Sequence, residues 1–565
     1  MTIGLQDRSE LQGIEDSAVE SGLGLGGFAF VGLNRTQSLQ ALASYASAIA
    51  RSPIAIGSLA AALVAEELKI LSGRSDRAPD GKDRRFGDDA WDSLGWKQLA
   101  QSYLALRDTV MRSVDEVGLN GPRADRARFV LMQLTEAFAP TNNLLTNPSA
   151  LRRAVDTRGK SLRDGARHMW HDARHNGGLP SQVDTRPFKV GENMAAAPGG
   201  VVRRTDQYEL IQYTSTTEQV RRRPLIIIPP QINRYYFLDL APGRSFIEHA
   251  VAAGQQVFIV SWRNPQPEHA NWSLDTYVHA CLDAIETASQ IAGSKDVNTM
   301  AFCAGGMTQS MMLAYLAAKG RPLVNAATLG VTMIDTHVAS VMNSFATPRS
   351  IESSLKSSRQ NGGVSGRELA RVFAWIRPND LIWNYWVSNY LHGDSPPAFD
   401  VLAWNSDSTN LPNQIHEQFL AITLNNLLLE PGGVSVLGES LDLRRVDVDH
   451  YSVGAINDHL VPWTSCYQAT GLFSGVHRFV LSNSGHIQAL VNPPDNPKAS
   501  YYVNESLPAS AEEWLRGATR QSGSWWTDWV RWIDSRSGAR KAAPEHVGSA
   551  KHPEICPAPG TYVVS

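Results

Sequence analysis

Three apolar runs, at Leu225–Ile228, Gln256–Val260 and Asn298–Phe302, have strand length and are separated by stretches long enough for helices. Strands this apolar must be covered on both faces, so the alternation predicts a mostly parallel sheet flanked by helices. Further strands are expected at Asn325–Val331, Ser452–Asn457 and His477–Leu481. The third run leads directly into Cys303-Ala-Gly305-Gly306, with a helix expected from Gly306 to Lys319. A strand that breaks into glycines and passes straight into a helix is the layout that lifts a nucleophile out of a sheet. Here the nucleophile is sulfur. Its thiolate is well suited to a soft acyl centre such as a thioester, which points to acyl transfer.

A chain of 565 residues exceeds one compact domain, so two or three are expected. With 43% hydrophobic and 19% charged residues it has an ordinary globular composition, and a net charge of -3 offers no argument for nucleic-acid binding. The four cysteines, Cys281, Cys303, Cys466 and Cys556, are widely spaced and form no CxxC pair. That spacing argues against a zinc site or disulfide framework and fits a reducing cytoplasm. Asp7, Glu10, Glu15 and Asp16 precede any apolar run, unlike the basic start of a signal peptide. The most apolar early stretch, Pro53 to Ala65, is too short to span a bilayer.

Residues 1–35 are rich in glycine and acid and read as a flexible N-terminus. Gly22-Leu-Gly24-Leu-Gly-Gly27 matches GxGxxG by letter, but no strand precedes it, so it reads as linker. Residues 36–195 form a mostly helical N-terminal domain, with Leu39, Leu42, Tyr45, Ala46 and Ile49 at helical spacing. The turn at Gly177-Gly178-Leu-Pro180 lies near its end. Residues 196–540 carry the strand–helix alternation. Within them the stretch from about 335 to 440, rich in Trp, Asn and Pro, breaks the rhythm and reads as an inserted cap. Residues 541–565 are expected to form a C-terminal tail.

Cys303, Asp458 and His486 follow predicted strands in the order nucleophile, acid, histidine, which is the α/β-hydrolase order. The fold class is therefore α/β: an α/β-hydrolase fold with an inserted cap, behind a helical N-terminal domain. The histidine takes the thiol proton, and the carboxylate holds or tunes the imidazole. An oxyanion hole is expected from the backbone N–H of Ala304 and one from the loop Pro229–Asn233, assigned to Ile232. Taken singly, a cysteine before Gly-Gly is more often a buried structural thiol and a histidine after Ser-Gly more often a loop residue; the ordered set on strand ends favours catalysis. Cys281, Cys466 and Cys556 read as structural, and His459 as a structural hydrogen-bonding residue.

Several longer motifs carry a family resemblance. Pro229-Pro-Gln-Ile-Asn233, Ser261-Trp-Arg-Asn-Pro265, the Cys303-x-Gly-Gly elbow and Asn379-Asp-Leu-Ile-Trp-Asn-Tyr385 resemble polyhydroxyalkanoate (PHA) synthases. So do Asp458-His-Leu-Val-Pro-Trp463, Ser484-Gly-His-Ile-Gln488, Asn176-Gly-Gly-Leu-Pro-Ser-Gln182 and Ser524-Trp-Trp526. The likeness covers roughly residues 80 to 540 and looks most like the single-subunit, class II group. It implies a triad of Cys303, Asp458 and His486. It also implies polymerisation of (R)-3-hydroxyacyl-CoA into polyester with release of CoA, through a thioester on Cys303. The family's acid would assist His486 or activate the acceptor 3-hydroxyl. The resemblance further implies no cofactor or metal beyond the CoA thioester substrate. Its implied setting is the cytoplasm, at the surface of storage granules, as a homodimer that granule-associated proteins could join. One position departs from the pattern: the family usually has glycine two residues before the nucleophile, and here it is Ala301. A small residue is expected to suffice there unless the backbone needs positive φ.

Two rivals stand beside this reading. A hydrolase of the same fold, a thioesterase or polyester depolymerase, would use the same triad with water as acceptor. A non-catalytic granule-coat protein would need apolar surface but no ordered Cys–Asp–His set.

Overall fold

The computed structural model describes residues 35–81, 83–336, 348–376, 378–458 and 460–565. The expectations for residues 1–35, including the GxGxxG segment, therefore lie almost wholly outside the described residues, as does the one for His459.

Among the described residues eleven strands share one sheet. In chain order they are β1 (Gly199–Arg204), β2 (Tyr208–Tyr213), β3 (Leu225–Ile228), β4 (Val257–Trp262), β5 (Val297–Phe302) and β6 (Val324–Gly330). Then follow β7 (Asp449–Ala455), β8 (His477–Ser482), β9 (Ser500–Val503), β10 (Thr519–Ser522) and β11 (Cys556–Pro557). Their spatial order is β10-β9-β8-β7-β6-β5-β3-β4-β2-β1-β11. The six neighbouring strands β4, β3, β5, β6, β7 and β8 are parallel. Antiparallel strands extend the sheet on both sides, so it is mixed where a mostly parallel one was expected. The apolar runs that announced the centre are buried along their whole length. Residues 541–565 run back along the sheet, where β11 pairs with Gly200 and Val201 of β1.

The helices of the N-terminal region are α1 (Arg35–Arg51), α2 (Pro53–Leu71), α3 (Trp96–Glu116), α4 (Pro122–Ala137), α5 (Pro148–Asp156) and α6 (Lys160–His175). Pro53 starts α2, where its missing N–H costs nothing. α1 and α2 meet at 93°, and Ile54, Leu68 and Leu71 are exposed. No single helix among the described residues is long and apolar enough to cross a membrane; α1 and α2 pass that test only as a bent pair.

Helices α7 (Leu274–Ala292) and α8 (Cys303–Ala318) pack on the central sheet. Between β6 and β7 come α9 (Pro348–Asn361), α10 (Gly366–Ile376), α11 (Asp400–Ser406) and α12 (Asn413–Asn425). Two π-helical turns, at Asn379–Trp383 and Trp386–Leu391, join α10 to α11. This insertion is fastened to the N-terminal region: Trp386 Nε1 donates to Asn142 O (3.0 Å), and Tyr390 Oη to Asp172 Oδ2 (2.8 Å). At Gly165 of α6 any Cβ would collide with the Tyr390 carbonyl, so only glycine lets the two bodies close together. Helix α13 (Trp526–Asp534) lies under the sheet with Trp526 and Trp529 buried.

Candidate active site

Strand β5 ends at Phe302, and α8 begins on Cys303 itself rather than at Gly306. Cys303 has φ +48°, a left-handed backbone that a β-carbon resists. Such strain costs about 1–3 kcal/mol and persists only where the surroundings impose it. The surroundings here are Gly305 and Gly306. A Cβ on Gly305 would lie 2.6 Å from Ile228 O and 2.7 Å from Pro229 O, and one on Gly306 would strike Thr332. The first turn of α8 can therefore press against the end of β3 only with glycine at these two positions. Ala301 sits inside β5 opposite Ile228 and Leu329, without positive φ, so the strand accommodates its methyl group as expected.

Asp458 follows β7, and His486 lies in the short loop after β8. Asp458 Oδ1 accepts the N–H groups of Leu460 and Val461, both at 2.9 Å. Its other oxygen, Oδ2, accepts Nδ1–H of His486 at 2.5 Å. Since a carboxylate oxygen only accepts, this bond fixes the histidine tautomer and turns Nε2 toward the cysteine. His486 Nε2 is buried and bonds to no oxygen or nitrogen of the described residues, which leaves it for the thiol.

Burial opposes a charge on His486, but the adjacent Asp458 carboxylate and its hydrogen bond outweigh that, with Cys303 adding to the effect. The imidazole's pKa is pushed up to about 10. A strongly basic histidine beside a thiol favours proton transfer from sulfur to nitrogen. Cys303 and His486 are both fully buried, so the charge pair would form away from water.

The histidine loop is braced from below. Trp525 Nε1 donates to Ala489 O (2.7 Å) and Trp526 Nε1 to Leu490 O (3.1 Å), immediately beyond His486. The Ser524-Trp-Trp526 motif is thereby a support for the His486 loop.

The two assigned oxyanion donors come from different elements. Ala304 N–H lies in the first turn of α8, where helix amides have no intrahelical partner. Ile232 N–H bonds to no protein atom among the described residues. Its neighbours are fixed from the cap. Asn233 N–H donates to Thr409 Oγ1 (2.8 Å), and Thr409 Oγ1 in turn donates to Gln231 O (3.3 Å). Gln231 Nε2 also donates to Thr308 Oγ1 of α8 (2.9 Å), and Trp262 Nε1 to Pro229 O (2.9 Å). Sequence reading gave no sign of this contact, since Thr409 lies far along the chain in the insertion and belongs to no motif.

Cys466 is buried near the pair, but it is a poor competing nucleophile. Burial raises its thiol pKa well above the ordinary range, and the neighbouring Asp458 and Cys303 raise it further. Burial does the same to Cys281, in keeping with a structural role.

Residues 82–250 match the family profile described as "Poly-beta-hydroxybutyrate polymerase (PhaC) N-terminus", and residues 224–493 match "alpha/beta hydrolase fold". The chain is 41% identical over 551 residues to "Poly(3-hydroxyalkanoate) polymerase 1" of Ectopseudomonas oleovorans, covering 97% of this chain and 98% of that protein. It is 42% identical over 539 residues to polymerase 2 of the same organism, covering 95% and 96%. With "Poly(3-hydroxyalkanoate) polymerase subunit PhaC" of Cupriavidus necator it shares 40% over 504 residues, covering 87% and 85%.

Proposed function

The chain belongs to the polyhydroxyalkanoate synthase family as a poly(3-hydroxyalkanoate) polymerase, most like the class II group, and from that premise we propose how its buried triad carries the reaction. His486 Nε2 takes the proton of the Cys303 thiol. The thiolate attacks the thioester carbonyl of (R)-3-hydroxyacyl-CoA, and the N–H groups of Ala304 and Ile232 receive the developing oxyanion. Collapse breaks the bond to the CoA sulfur, which leaves with the proton returned by His486. The hydroxyacyl group is then a thioester on Cys303, and free CoA departs. In chain growth His486 removes the proton of a 3-hydroxyl, whose oxygen attacks an acyl-enzyme carbonyl. An ester forms, and the cysteine sulfur is released to be reprotonated. Asp458 holds the imidazole and stabilises its charge. Nucleophile, base and orienting carboxylate all come from the chain, so the cycle calls on no cofactor.

The observation that carries this reading is the strained Cys303 elbow facing a histidine locked to Asp458 at 2.5 Å. Full burial of Cys303 and His486 favours a hydroxyl over water as acceptor. The exposed apolar side chains of α1 and α2, Leu39, Ile54, Leu68 and Leu71 among them, support contact with a polyester granule surface in the cytoplasm or with a second copy in a homodimer. Purified protein given (R)-3-hydroxyacyl-CoA should release CoA while insoluble polyester accumulates. Free hydroxy acid as the main product would make it a hydrolase instead.

A further inference from the structure

A cavity of about 390 Å³ opens between the end of α6, the Asn176–Thr185 segment, α10 and the stretch from Leu402 to Thr409. Among the described residues its lining carries Arg367, Arg371, His171 and His175, and no aspartate or glutamate. Ile232 and Asn233 line it as well, so the cavity reaches the backbone loop assigned above to the oxyanion.

The two arginines stand at i and i+4 on α10, hence on one face of that helix. Like charges at this spacing weaken a helix, so the pair is a cost unless something anionic meets it. Among the described residues no acid does; Glu368, between them on the helix, accepts from Ser365 instead. Both arginines are exposed, and neither makes an ion pair or hydrogen bond among the described residues. Arg371 is nonetheless placed: its Nη2 lies against Gly177, where a Cβ would collide with it and where φ is +61°. Two residues before Gly177, His175 stacks on His171 at 4.5 Å and its Nδ1–H donates to His171 O (3.0 Å), which leaves Nε2 for a ligand. The remaining walls include the apolar side chains of Leu179, Val183, Leu369, Leu381 and Leu402.

Two exposed arginines, a largely apolar lining and the buried Ile232 suit a ligand that carries phosphates at one end and a longer, less polar arm at the other. Guanidinium forks are suited to phosphate oxygens. We propose that Arg367 and Arg371 bind the phosphates of the CoA portion of the substrate, and that the cavity takes its pantetheine arm. This rests on the acyl-CoA reading above and adds the site where the carrier is held.

The test compares (R)-3-hydroxyacyl-CoA with the same acyl group on pantetheine, which lacks the phosphates. In the full-length enzyme Arg367→Ala/Arg371→Ala should raise KM for the CoA thioester by about 10-fold or more, with kcat nearly unchanged. Turnover of the pantetheine thioester should be the same in variant and wild type. Arg367→Lys/Arg371→Lys should keep part of the affinity, since the charge remains without the fork. An unchanged KM for the CoA thioester, or equal losses with both substrates, overturns the proposal. A wild type inert toward both thioesters overturns the acyl-CoA reading and this site with it, a pattern distinct from an unchanged KM in an active enzyme.

Discussion

His486 Nδ1 and Asp458 Oδ2 meet at 2.5 Å with both side chains fully shielded from solvent. The carboxylate is itself held by two backbone N–H groups, so it orients the imidazole as well as charging it. Asp458→Asn should keep the packing while removing the charge that opposes desolvation of His486. The expected result is a fall in kcat of roughly 10²–10⁴-fold, the scale on which a misassigned tautomer and a weakened base act. The imidazole pKa, followed by NMR, should drop from its raised position near 10. An unchanged pKa would break the link between Asp458 and the base.

Glycine is required at one elbow position and dispensable at another. Gly305→Ala forces a Cβ within 2.6–2.7 Å of two backbone carbonyls that cannot swing aside. It should destabilise the protein by about 1–3 kcal/mol and abolish most turnover through displacement of Cys303. Ala301→Gly, which restores the usual family residue, should leave turnover within about 3-fold and cost about 0.5–1 kcal/mol as an interior strand glycine. Urea unfolding and CoA release measured side by side check both.

Thr409 reaches from the cap to both neighbours of Ile232. Thr409→Val keeps the shape and removes the hydroxyl, freeing the loop that presents the Ile232 N–H. Loss of an oxyanion donor costs about 10²–10³-fold, and a donor merely loosened should cost roughly 10-fold in kcat with little change in KM. A KM effect alone would place Thr409 in substrate binding instead.

His450 supplies a pH dependence outside the site. Burial, then the neighbouring His477, pushes its pKa down to about 3, and its ring stacks on Phe473 at 4.2 Å. Below the ordinary histidine pKa near 6.5 the unfolded chain takes up a proton that the folded protein refuses down to about pH 3. Stability is therefore lost as pH falls through that window. From pH 7 to pH 5 this one group should cost about 2 kcal/mol. His450→Phe should lose less stability than wild type over the same interval, as read from denaturant midpoints.

The central strands and the grouping of Cys303, Asp458 and His486 were legible for one physical reason: strands buried on both faces are written as contiguous apolar runs, and these three residues follow their ends. Strands β1 and β2 were not. Their sequences contain Arg203, Arg204, Glu209 and Gln212, and Glu209 is buried only because Arg204 pairs with it and the N–H groups of Thr561 and Tyr562 bond to it. Polar partners that far apart leave no local pattern. Thr409 escaped for the same reason, since its role depends on a contact with Asn233 that only the folded chain creates. The start of α8 at Cys303 was misplaced because Gly305 and Gly306 read as helix breakers. In the fold they are helical, kept as glycine by the backbone and side chain pressed against them. The pair Trp525 and Trp526 at the start of α13 was legible as a motif, but its bracing of the His486 loop became visible only in three dimensions.

The central claim is that the growing acyl chain is carried on Cys303. Enzyme mixed with one equivalent of (R)-3-hydroxyacyl-CoA and quenched in acid should show, by intact and peptide mass, one hydroxyacyl group on the peptide containing Cys303, matched by one CoA released. Cys303→Ala should show neither. An acyl group on another residue, or CoA release and polymer from the Cys303→Ala enzyme, would contradict the account.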